Sequence, residues 1–114
     1  MQEMFPEPDK RVLREHPDIL EIFIQDPQYS FAQGSRGPAL DGRILARLWG
    51  FRLQDIRIPV HVWHGDEDRN VPVSQGEYQA RALPHSILHL YRGEGHLVAF
   101  DRMPEILQTL ASAQ

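Results

Sequence analysis

Two short stretches of this chain carry side chains able to move protons. The first, His64-Gly65-Asp66-Glu67-Asp68-Arg69-Asn70-Val71-Pro72, crowds three carboxylates and an imidazole into a tight turn; the second, Gly93-Glu94-Gly95-His96, presents an imidazole behind two glycines. A carboxylate bonded to an imidazole holds one ring tautomer and stabilises the cation formed when the ring accepts a proton, which is the chemistry of an oriented general base. Asp68 and His96 lie 28 residues apart, room for a turn, a crossover helix and a second strand. If those strands are parallel neighbours, both loops emerge at the carboxyl edge of the sheet, where α/β proteins place their functional groups. Asp68 is then the orienting acid and His96 the base.

The same residues have plainer readings. Asp66, Glu67 and Asp68 taken alone are an ordinary solvated turn, in which aspartates bond their own backbone; it is His96 downstream that favours the catalytic reading. His64 suits strand-end hydrogen bonding. His64, Asp66 and Asp68 match a divalent-metal set in type, but no further ligand follows at a matching spacing. Gly93 and Gly95 permit a tight bend, which presenting His96 also requires. His16, His61, His85 and His89 read as surface or packing residues, and Trp63 and Phe100 as core or pocket wall.

The elements that must position the pair can be read from periodicity. Val60 and Val62 alternate with His61 and Trp63, a strand signature, after an extended lead-in from Phe51 to Pro59. Ser74-Gln75-Gly76-Glu77 has the form of a capping box and predicts a helix from about Gln75 to Leu83, closed by Pro84. Ser86 to Tyr91 predicts a second strand, apolar enough to be buried on both faces. Pro104 opens a last helix whose Ile106, Leu107, Leu110 and Ala111 share a face. The second half therefore reads as a βαβα unit with parallel strands. Upstream, residues 1–8 read as a disordered lead-in or linker, and apolar residues from Val12 to Ile24 predict short helices interrupted by Pro17 and Pro27. After the loop Gly34–Pro38, with Pro38 suited to a first helical position, Leu40, Ile44, Leu45 and Leu48 predict an amphipathic helix ending before Gly50.

With 114 residues, 41% hydrophobic and 25% charged, the chain supports one ordinary globular domain at most. Twelve basic against 16 acidic residues give a net charge of −4 with no Lys/Arg cluster, which argues against nucleic acid as a partner. No apolar run approaches a membrane span and the first residues lack the features of a signal peptide, so the expectation is a cytoplasmic protein with no membrane partner. With no cysteine, disulfides, thiolate metal sites and a cysteine nucleophile are excluded.

The paired motifs resemble the C-terminal end of the α/β-hydrolase fold, in which a strand, HGxxDxxVP, a helix, a strand and GxGH follow one another. That resemblance covers residues 56–114 best; residues 9–53 are similar, less specifically, to the helical cap such enzymes insert. It implies an α/β fold with residues 54–114 as the C-terminal core portion and residues 9–53 as a cap or lid segment. It further implies a serine hydrolase acting on an ester, amide or other acyl substrate, with Asp68 as triad acid, His96 as triad base and no cofactor. The family's nucleophile sits in a G-x-S-x-G elbow. Here the nearest string is Gln33-Gly34-Ser35-Arg36-Gly37, which lacks the first glycine and follows a helical pattern, so Ser35 is not taken as the nucleophile. The chain alone is therefore expected to be inactive and to behave as a fragment. Its expected partners are the acyl substrate of a complete enzyme and either a missing N-terminal half or another copy joined through an open sheet edge. The competing reading is a non-catalytic, split or truncated domain that binds a partner chain through that edge.

Overall fold

The computed structural model describes residues 4–113 and has a mixed α/β architecture: three helices, a two-stranded parallel sheet with its crossover helix, and two C-terminal helices. The helices α1 (Glu7–Glu15) and α2 (Pro17–Ser30) are divided at His16, because Pro17 is tolerated at a first helical position and not within the preceding helix. Helix α3 spans Arg36–Leu45 and a 3₁₀ turn covers Leu53–Asp55. Strand β1 (Val60–Gly65), helix α4 (Val73–Ala82) and strand β2 (Ser86–Tyr91) form the βαβ unit. A single helical turn, α5 (Val98–Asp101), leads into α6 (Met103–Ser112).

The strands run in register from Val60 opposite Ser86 to Gly65 opposite Tyr91, so both end at the same level and their following loops leave side by side. The ladder continues one step further, where the Asp66 N–H donates to the Tyr91 carbonyl at 3.0 Å. Helix α4 packs against both strands. On one face of the sheet, Trp63 stacks on His89 with 4.7 Å between ring centroids and His61 stacks on both. The two imidazoles are also bonded, His61 Nδ1 to His89 Nε2, at 2.8 Å. The Tyr91 hydroxyl donates to Glu105 and so ties α6 to the end of β2.

The densest core lies away from the sheet, where Val12 and Leu13 of α1 meet Leu97, flanked by Phe5, Ile19, Leu20 and Phe100. It joins the N-terminal helices to the segment following β2. Elsewhere burial is sparse: Ile22 and Ile24 on α2, and Leu40, Ile44 and Leu45 on α3, are exposed. The radius of gyration is 16.3 Å, against about 13 Å for a compact chain of this length.

Several local expectations are corrected. The part of the lead-in at residues 1–3 lies outside the described residues, and helix already begins at Glu7, behind Pro6 in an extended conformation. Pro27 lies inside α2 near its end, where losing one N–H costs a single bond and the chain completes its last turn to Ser30. Pro38 is the third residue of α3, and that helix stops at Leu45. The capping box does not form: Pro72 sets the start of α4, Val73 is its first residue, and Ser74 makes no capping bond. Strand β2 is not buried on both faces: Ile87, Leu88 and Leu90 stay exposed although α4 packs against the strand, and among the described residues no further strand pairs with its outer edge. Among the described residues no helix is long and apolar enough to cross a membrane.

Candidate active site

Beyond the carboxyl ends of the strands, the two loops interlock through one backbone bond and one side-chain bond. Glu67 N–H donates to the Glu94 carbonyl at 2.9 Å, and Asp66 Oδ1 accepts the Gly93 N–H at 2.7 Å. Gly93 adopts φ +72°, a conformation that glycine takes without strain and that turns the chain back towards the first loop. Asp66 is thus an inter-loop tie, and Glu67 takes part through its backbone.

The third carboxylate does something different. Asp68 Oδ1 accepts the N–H groups of Asn70 and Val71, each at 2.8 Å, which fixes the side chain within its own turn. That leaves Oδ2 to meet His96 Nδ1 at 2.9 Å. The Asp68 side chain is only 6% exposed whereas that of His96 is 40% exposed, so a shielded acid backs a base that opens to solvent. Burial is the largest influence on the Asp68 carboxyl and acts to raise its pKa. It is outweighed by the Val71 N–H, the His96 bond, the Asn70 N–H and the charge of His96, so the pKa falls below its ordinary 3.8. The carboxylate is therefore ionised at neutral pH. With Nδ1–H donated to it, His96 carries its free lone pair on Nε2, the nitrogen available to a proton.

His64 buttresses the turn from beneath. Its Nε2 lies 2.9 Å from the Val71 carbonyl, a bond that requires Nε2–H as donor, and the ring is buried. The 3.6 Å separation from Asp68 Oδ2 is beyond a hydrogen bond. The structure thus brings Asp68 and His96 together, and leaves His64 to strand-end bonding.

A cleft of about 230 Å³ opens over the pair, walled by Val62, Trp63, Val71, Val98 and Ala99. Among the described residues no serine, threonine or tyrosine lines it. Ser35 stands at the start of α3, where its side chain makes no capping bond, and no bond between Ser35 and His96 occurs among the described residues. A metal at His64, Asp66 and Asp68 is not favoured, because each side chain already has the partner described above. Glu15, His16 and Asp101 bring potential ligand atoms within 4.8 Å of one another. Arg11 already serves both of those carboxylates, at 3.8 Å and 3.4 Å.

Sequence reasoning missed the residues that hold the His96 loop from the other side. Asp9 Oδ1 accepts the Leu97 N–H at 2.8 Å, and Arg11 Nη2 donates to Glu94 Oε2 at 2.6 Å. The charges of Glu94 and Asp101 outweigh burial, the largest influence on Arg11, and raise its pKa. One signal for Asp9 was present: it sits three and four residues before Val12 and Leu13, on the buried face of α1. Comparison of the chain with protein-family models and with curated protein sequences finds no match.

Proposed function

We propose that this chain supplies the acid and base of a serine-hydrolase-type site, as the C-terminal part of an α/β-hydrolase acting on an ester, amide or related acyl substrate. The observation that carries the reading is the 2.9 Å bond between shielded Asp68 and solvent-facing His96 at the carboxyl end of two parallel strands. In that role His96 Nε2 takes the proton of a nucleophilic hydroxyl and later returns it to the leaving group, while Asp68 stabilises the intervening imidazolium. The hydroxyl comes from outside this cleft, since no side chain lining it carries one.

A second reading has its own support. The free sides of the two strands and the exposed Ile87, Leu88 and Leu90 suit a domain that pairs with another polypeptide without catalysing anything. A fluorophosphonate probe, which reacts only with activated serines, separates the two. The chain alone is expected to remain unlabelled. A complex with a polypeptide carrying a G-x-S-x-G elbow is expected to label, and to stop labelling when His96→Ala is introduced. A complex that assembles and stays unlabelled favours the binding reading. Stoichiometric labelling of the isolated chain would overturn the placement of the nucleophile elsewhere.

A further inference from the structure

His96 stands in a loop, residues 93–97, that belongs to no strand or helix, yet its imidazole must be aimed to within a fraction of an ångström to serve as a base. What fixes the far side of this loop is helix α1, more than eighty residues away in sequence. Asp9 Oδ1 takes the Leu97 N–H, immediately after His96. Arg11 holds Glu94 Oε2, two residues before it, and Arg102 holds the other oxygen at 3.3 Å. The loop is therefore gripped on both sides of the imidazole by residues of a single helix.

Asp9 is the more informative of the two. It is 1% exposed, among Val12 and Leu13, where an apolar residue would fill the space without the desolvation cost of a carboxylate. Its Oδ2 is buried with no hydrogen-bond partner among the described residues. A group held there at that cost is explained by the one bond it makes, to the Leu97 N–H. Gly95 completes the fit, because a Cβ at that position would stand 2.6 Å from Asp9 Oδ2. Only a residue without a side chain lets the loop settle onto the carboxylate.

We infer that Asp9 is a positioning residue for His96, through which α1, with Arg11 as a second anchor, sets the direction in which the imidazole faces the cleft. Its catalytic meaning rests on the hydrolase-type reading of His96; the positioning itself does not.

The test is NMR on the full chain, comparing Asp9→Asn and Asp9→Ala with Val12→Ala, which removes apolar packing between α1 and Leu97 but keeps the Asp9 carboxylate as acceptor. The readouts are the hydrogen exchange of the Leu97 amide relative to β1 amides and the ring ¹⁵N shifts of His96. Replacing the charged acceptor by the neutral carboxamide in Asp9→Asn is expected to speed Leu97 exchange roughly tenfold, and removing it in Asp9→Ala roughly a hundredfold. Both variants move the His96 shifts, the alanine more. Val12→Ala lowers protection at Leu97 and in β1 together and leaves the ring shifts in place. If Asp9→Ala does not fold, the isosteric Asp9→Asn carries the test. Leu97 exchange and His96 shifts that change no more in the Asp9 variants than in Val12→Ala would overturn the inference. Failure of the hydrolase reading, seen as an assembled complex that does not label, leaves these readouts unaltered.

Discussion

Replacing Gly65 by alanine opposes two effects of known sign. Gly65 ends β1 without a positive φ, so alanine is conformationally acceptable there and should stabilise by about 0.4–1 kcal/mol through the unfolded state. Against this, the new Cβ would stand 2.6 Å from both the Glu94 carbonyl carbon and the Gly95 oxygen, and closer still to the Glu94 oxygen. These are backbone atoms, which cannot swing aside as a flexible side chain could. Restoring ordinary carbon contact near 3.5 Å moves the loop by roughly 0.9 Å. That displacement stretches the Glu67–Glu94 bond and the Asp68–His96 bond, each 2.9 Å, well past hydrogen-bond range. Two lost bonds at about 0.5–1.5 kcal/mol each, added to about 1–3 kcal/mol of overpacking, outweigh the entropic gain and leave a net destabilisation of about 1–5 kcal/mol. Thermal unfolding followed by circular dichroism should show Tm falling by roughly 4–20 °C. A Tm unchanged or raised, with His96 resonances unmoved, would refute the claim that backbone contact at Gly65 sets the distance between the two loops.

Other outcomes follow from the same geometry. Asp68 has a folded pKa below its ordinary 3.8, so its contribution to stability is full above that value and is lost as pH falls through the folded pKa. Asp68→Asn should therefore flatten the loss of stability below pH 3.8, measured by urea unfolding across pH; an unchanged acid limb would count against the depressed carboxyl. In a complex competent for labelling, Asp68→Asn should slow the reaction by up to about 10⁴-fold through the wrong histidine tautomer, and a rate near that of the parent would contradict the acid's role. Leu13→Ala, at the centre of the small core, should cost about 2–5 kcal/mol, read from denaturant midpoints, and a cost under 1 kcal/mol would mean that α1 is not anchored there. With Ile87, Leu88 and Leu90 exposed on β2, whose outer edge pairs with no other strand among the described residues, the chain should associate as concentration rises. Sedimentation showing a monomer with a sharp, concentration-independent melt would argue otherwise.

The parts legible in the sequence are those governed by local rules. Val60 to Gly65 and Ser86 to Tyr91 lie where alternation and apolar content put them, and their parallel pairing follows from the intervening helix. The meeting of Asp68 with His96 was legible because loop length and strand direction leave few other arrangements. What stayed hidden depends on contacts that no local pattern encodes. Ser74 and Glu77 spell a capping box, yet Pro72 starts the helix two residues before Ser74 and the motif lapses. Asp9 shares the face of Val12 and Leu13, but nothing in that spacing names the Leu97 N–H as its partner, and nothing near Arg11 announces Glu94. The strand β2 has the composition of a buried element, but α4 leaves Ile87, Leu88 and Leu90 exposed, so composition and exposure part company.

Whether Asp68 holds His96 as an oriented base can be read from the ring tautomer of neutral His96 by ¹⁵N NMR. The Nδ1 bond to Asp68 requires a protonated Nδ1 and a bare Nε2, with the Nδ1 proton shifted downfield by Asp68 and that shift abolished in Asp68→Ala. An Nε2-protonated ring, or two nitrogens averaged as in a free imidazole and indifferent to Asp68→Ala, would contradict it.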